Sequence, residues 1–258
     1  MRCFSFLFFA TAALWAEIHE TPHFCDIEKY ANSETLLILD IDDTLLIPSQ
    51  TLGTDVWFRH QLQQNKLNAV CGDPLDKTLA LWEAIRHLTR IQVVETGADQ
   101  VVQKLQELGI SMMGLSTQGL GLATRTVNQL LSLDFDLSKT APRQEDCYFL
   151  NGHGVLYRKG ILFTSGTNKG RALLKFWETT NLHPKRVVFL NDKQTHLEEV
   201  ESLLNEAGIP FIGLRYSFSD ERIERFRSEI ADIQLRYSSF DRILSDAEAE
   251  NILFHLSD

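Results

Sequence analysis

Asp40, Asp42 and Asp43 crowd three carboxylates into four positions, with the Thr44 hydroxyl directly behind them. They sit within residues 36–46, LLILDIDDTLL, which open on the uninterrupted aliphatics Leu36, Leu37, Ile38 and Leu39. Such a run fits a strand buried on both faces. Carboxylates at the mouth of a buried strand are costly unless paired or bound to a cation, so the cluster points to a hard divalent metal such as Mg2+. Side chains two apart on an extended strand end share a face. Asp40 and Asp42 can therefore address one bound group together.

The elements that must position these groups can be read from periodicity. The run Ile110-Ser-Met-Met-Gly-Leu115 predicts a strand ending at Ser116 and Thr117, whose hydroxyls can donate hydrogen bonds. Val101, Val102, Leu105 and Leu108 predict the preceding helix, stopped by Gly109. Gly166-Thr-Asn-Lys-Gly170 opens a helix whose apolar face includes Leu173, Leu174, Phe176 and Trp177. Lys169 falls in its first turn, where a cation opposes the helix dipole unless an anion is bound there. Residues 186–190 predict a strand ending at Asn191-Asp192. Thr195 and Glu198 then predict a capping box on a helix that runs to Gly208. A last strand follows at 209–214, then one helix through Ile223, Phe226, Ile230 and Ile233 and another over 240–255.

Residues 58–95 read as helical, with Asp73-Pro74 as a helix start. The stripe Leu75, Leu79, Trp82, Ile85 and Leu88 reads as the core of that unit. The segment before it, punctuated by Pro48 and Gly53, is a loop or short hairpin that carries Asp55, Trp57 and Arg59. Residues 147–164 read as a hairpin pair, and 17–34 as a polar lead-in.

The Asp40-x-Asp42-x-Thr44 stretch resembles the first signature of the haloacid dehalogenase (HAD) superfamily. Ser116, Lys169 and Asp192 match that superfamily's second, third and fourth signatures in order, with Thr117 as the alternative to Ser116. Asn191 departs from the acidic pair usual at the fourth. The runs LSTQG and GILFTSGTNKG are similar to those of a bacterial group of HAD-like proteins with a secretory leader. The resemblance implies an α/β fold, a three-layer Rossmann-like parallel sheet with an inserted helical cap of the C1 type. Residues 17–57 and 96–258 would form the core and 58–95 the cap. It implies an Mg2+-dependent phosphomonoester hydrolase acting on a small phosphorylated molecule through an aspartyl-phosphate. Asp40 would be the nucleophile, Asp42 the acid and base, and Ser116, Thr117 and Lys169 the phosphate binders. Asp40, Asp42 and Asp192 would hold the metal, with Thr44 and Asn191 supporting them from behind. The loss of an acid at Asn191 leaves a second reading, a degenerate binding or effector protein that keeps metal and phosphate. A phospho-accepting receiver domain uses similar groups, but the length and the Asp-x-Asp doublet argue against it.

The chain has 258 residues and a net charge of -10. No basic stripe offsets that charge, which argues against nucleic acid as a partner. Arg2 followed by an apolar run to Ala13 reads as a signal peptide over residues 1–16, so the expected location is periplasmic or secreted. No other segment is apolar enough to span a bilayer. Beyond the leader, Cys25, Cys71 and Cys147 allow one disulfide and one free thiol, or none. Oligomeric state is not legible in this sequence.

Overall fold

A computed structural model describes residues 17–68, 71–239 and 241–256. The proposed leader lies outside the described residues.

The strands are β1 (Glu17–Thr21), β2 (Thr35–Leu39), β3 (Leu46–Pro48), β4 (Ile91–Val93), β5 (Ser111–Ser116), β6 (Cys147–Asn151), β7 (His153–Arg158), β8 (Ile161–Phe163), β9 (Arg186–Asn191) and β10 (Phe211–Tyr216). The helices are α1 (Asp55–Leu67), α2 (Pro74–Leu88), α3 (Ala98–Glu107), α4 (Ala123–Leu131), α5 (Lys169–Thr180), α6 (Gln194–Glu206), α7 (Asp220–Glu224), α8 (Ser228–Tyr237) and α9 (Asp246–Leu256).

The main sheet runs β1-β10-β9-β2-β5-β8-β7-β6. Its strands from β1 to β8 are parallel, and β7 and β6 add an antiparallel hairpin at one edge. Every residue of β2 is buried, as its apolar run requires. Leu37 and Leu39 point into one apolar cluster with Val102 of α3 and Leu130 of α4. Leu36 and Ile38 point into the other with Leu173 and Phe176 of α5 and Val200 of α6. The period-two alternation of one strand thus fills both cores of a three-layer α/β sandwich.

From β2 the chain winds outward through β5 to β8, then returns to pair β9 on the other side of β2. The reversal creates a crevice at the carboxyl ends of β2 and β9, the place where open α/β sheets bind ligands. Asp40 and Asp192 each follow one of these two strands.

The cap leaves the core through a two-stranded neck, the antiparallel pair β3 and β4. Between them α1 and α2 pack together with Leu52, Trp57, Trp82 and Ile85 buried. Asp73 caps α2 as its sequence predicts, with Oδ1 accepting from the N–H groups of Leu75 at 2.7 Å and Asp76 at 3.2 Å.

Several local expectations fail. The polar lead-in contains β1, an edge strand parallel to β10. The capping box at Thr195 and Glu198 does not form, because Lys193 is the N-cap and its N–H donates to Asn191 Oδ1 at 2.8 Å. The helix expected through Ile223 and Ile233 breaks into α7 and α8, where Arg227 is extended at φ -123° and ψ 108°. Cys25, Cys71 and Cys147 are free among the described residues, one of the two outcomes the sequence allows. Among the described residues no helix is long and apolar enough to cross a membrane.

Candidate active site

Lys169 is the first residue of α5, after the N-cap Asn168. Gly170 lets that helix start seat against α6, since a Cβ there would lie 2.9 Å from the Glu199 carbonyl oxygen. Lys169 is 1% exposed, and its Nζ donates to Asp40 Oδ1 at 2.6 Å. Asp40 is 5% exposed. The carboxylate offsets both the buried cation and its unfavourable place at a helix start. Nζ also sits 5.5 Å from the Phe189 ring centre. Among the described residues nothing hydrogen-bonds Asp40 Oδ2, and Asp40 lines a cavity of about 300 Å3 between core and cap.

Asp42 lines the same cavity, but both of its carboxylate oxygens are engaged. Arg86 Nη2, from cap helix α2, donates to Oδ1 at 2.7 Å. Gln118 Nε2 donates to Oδ2 at 2.7 Å. Gln118 is itself fixed by the Thr126 hydroxyl, which donates to its Oε1 at 2.5 Å. Arg86 is fully buried, with its guanidinium 5.2 Å from the Trp82 ring centre. Asp43 stands at φ +58°, a left-handed conformation that Asp tolerates better than most residues. This sharp turn separates the direction of Asp40 and Asp42 from the chain that leaves toward β3.

Asp192 is 5% exposed, and its Oδ1 is buried without a hydrogen-bond partner among the described residues. Burial first, and then the Asp40 charge, push its carboxyl well above the usual carboxylate range. An orphaned buried carboxylate oxygen within electrostatic reach of a second carboxylate is a donor set that a hard cation would satisfy. Among the described residues no three His, Cys, Asp or Glu side chains converge as a metal cage. The carboxylate of Asp42 is instead held by Arg86 and Gln118. The residues present therefore fit a cation held by Asp40 and Asp192, with water and substrate oxygens completing it, as Mg2+ is commonly bound.

Ser116 is buried at the end of β5, and its Oγ accepts from the Gln118 N–H at 3.1 Å. Ser116 and Thr117 both line the cavity. Thr44 and Asn191 are fully buried below it. The Thr44 hydroxyl is without a partner among the described residues, and the Asn191 amide is spent on Lys193 N–H and on His196 Nδ1 at 3.4 Å.

A second ion pair joins cap to core. Lys193 Nζ lies 2.8 Å from Asp55 Oδ2, at the first residue of α1. Burial pulls the Lys193 ammonium down, but Asp55 and Asp192 outweigh it and hold it above its ordinary value. Burial, Lys169 and Lys193 together push His196 down to about 2, so its ring in the cavity wall is neutral.

The model of a family described as "Protein of unknown function (DUF2608)" matches residues 20–250. The chain belongs to the DUF2608 family. A Chlamydia pneumoniae protein, whose name provisionally assigns it to the outer membrane, is 25% identical over 257 residues, covering 98% of this chain and 96% of that one. A Chlamydia muridarum protein with the same kind of name is 25% identical over 230 residues, covering 89% and 86%. Among solved structures, a HAD-superfamily hydrolase from Ehrlichia chaffeensis is similar at 16% identity and a TM-score of 0.40, covering 74% of this chain and 96% of that one. With so low a score, the fold is read from the sheet order and cap of this DUF2608 chain.

Arg86 and Gln118 have no place in the sequence reading of this DUF2608 site. The signal for Arg86 was one basic residue beside the apolar stripe of α2, next to Ile85. Gln118 directly follows the hydroxyl pair Ser116-Thr117, as the fourth residue of LSTQG. That stripe also divides. Trp82 and Ile85 are buried in the cap, whereas Leu75 and Leu79 are exposed and line the cavity.

Proposed function

We propose that this chain is an Mg2+-dependent phosphomonoester hydrolase. The observation that carries the reading is the buried Lys169–Asp40 pair beside the orphaned Asp192 oxygen, at the strand ends flanking the crevice. Asp40 Oδ2 attacks phosphorus in line, forming an aspartyl-phosphate as the P–O bond to the alcohol breaks. Lys169 stays against the same carboxylate and neutralises charge on the phosphoryl oxygens, aided by Ser116 and Thr117. Mg2+, held by Asp40, Asp192 and the Asp42 main-chain carbonyl, would supply further neutralisation of that charge. Asn191 would support Asp192 through the Lys193 N–H of the loop that follows it, and the buried Thr44 hydroxyl would be free to meet an incoming group.

Asp42, once it is freed and has taken up a proton from solvent, gives that proton to the leaving alkoxide and then takes one from the attacking water, which returns Asp40 and releases phosphate. With both Asp42 oxygens occupied, we assign it this role only after α2 shifts and Arg86 lets go. The same clamp, with Asn191, favours the second reading, a binding or effector protein that keeps metal and phosphate without turnover. The basic Arg2 followed by the apolar run at residues 3–13, with relatives named for the outer membrane, supports export to the periplasm or beyond. A panel of phosphomonoesters assayed with Mg2+ and with chelator tests the proposal. Metal-dependent phosphate release supports it, and metal-dependent ligand binding with no release favours the second reading.

A further inference from the structure

The roof of the cavity carries a chemistry that its floor does not. Leu75 and Leu79 lie four residues apart on α2, so they share one helix face. They are 44% and 37% exposed, both line the cavity, and neither joins the buried cluster of the cap. Phe58 and Trp82 continue this wall, their rings edge to face at 5.7 Å between centres. The one polar atom among these four side chains, Trp82 Nε1, is already spent on the Gly53 carbonyl at 3.1 Å. These four side chains therefore offer no free donor or acceptor to a hydroxyl-rich group. The roof's charged members are Asp55, which is paired with Lys193, and the exposed Asp76, which would repel a second anionic group on a ligand. Single exposed leucines are ordinary. A pair lining the same cavity as Asp40 and Ser116, with two aromatic rings beside it, joins an apolar wall to a polar anchor, the arrangement of small-molecule sites.

We infer that the substrate is a small phosphomonoester of an uncharged apolar alcohol, aromatic or branched aliphatic, with Leu75, Leu79, Phe58 and Trp82 as its specificity wall. This rests on the phosphomonoesterase reading above. The volume of about 300 Å3 is at the small end of ligand pockets, which disfavours nucleotides and larger conjugates.

The test uses non-hydrolysable phosphonates titrated calorimetrically into the full chain with Mg2+, so that binding is read apart from turnover. Benzylphosphonate should bind about tenfold or more tighter than 2-aminoethylphosphonate, the discrimination an apolar pocket gives. Leu79→Asn should close most of that gap, with Leu75→Asn as the second variant should the first misfold. Equal or tighter binding of aminoethylphosphonate, no binding of either, or an undiminished gap in both folded variants would overturn the inference. Selective benzylphosphonate binding without hydrolysis of benzyl phosphate would leave the wall intact and sink the enzyme reading. Hydrolysis of glucose 6-phosphate in preference to benzyl phosphate would do the reverse.

Discussion

Arg86 of cap helix α2 and Asp42 of the core loop after β2 meet at 2.7 Å, so the cap holds one of the two carboxylates that would do the chemistry. The guanidinium is almost wholly buried, and Asp42 takes a second bond from Gln118. The contact ties the cap to the core, with a measurable consequence for stability.

Arg86→Met should destabilise the chain far more than loss of a surface ion pair would. Breaking a buried pair costs about 3–5 kcal/mol because one charge is left alone, against about 0–1 kcal/mol at the surface. A double-mutant cycle with Asp42→Asn, followed by denaturant unfolding, should return a coupling of roughly 0.5–3 kcal/mol. Additive effects would mean that the pair does not join cap to core. Hydrogen exchange should place the loosening in α2.

Asp192→Asn should act in opposite directions with and without metal. In chelator the variant should unfold at a higher temperature, because a buried carboxylate oxygen without a partner has been replaced by a neutral amide. With Mg2+ it should lose the stabilisation the wild type gains, and need about ten- to a hundredfold more metal, or more if it binds directly. Asn191→Asp should change the requirement far less. Equal Mg2+ dependence of the wild type and Asp192→Asn would remove Asp192 from the metal site.

His196 should stay neutral across the physiological range. Its folded value of about 2 lies below the unfolded value, so the unfolded chain takes up a proton first as pH falls. The stability it contributes is therefore complete above about pH 6.5 and declines as pH drops from there. His196→Asn should flatten that part of the stability profile between pH 4.5 and 6.5, measured by denaturant midpoints. A His196 ring resonance titrating near pH 6.5 in the folded protein would contradict the assignment.

The elements that hold the site were legible because each had a reason to be written plainly. A parallel strand buried on both faces must be largely apolar, and β2 is so from Leu36 to Leu39. Lys169 stood out because a helix start is a poor place for a cation unless an anion faces it, and Asp40 does. What escaped depends on neighbours distant in sequence. The strand β1, EIHET, lies at a sheet edge with one buried residue, so no apolar pattern marks it. The capping box at Thr195 lost to Asn191, whose side chain reached the Lys193 N–H first. The α2 stripe has one period but two partners, the cap core for Trp82 and Ile85 and the cavity for Leu75 and Leu79. Arg86 is buried only because Asp42, forty-four positions earlier, receives it.

The central claim is that Asp40 becomes phosphorylated during turnover. It is tested by acid-quenching the chain with Mg2+ and phosphomonoester in the steady state, reducing with borohydride, and sequencing the peptides by mass spectrometry. An acyl-phosphate is reduced to the alcohol, so homoserine should appear at position 40, and only when substrate is present. Asp40→Asn should remain folded, show no modification and release no phosphate. Steady hydrolysis by folded Asp40→Asn, or by the wild type with residue 40 unmodified, would contradict the account.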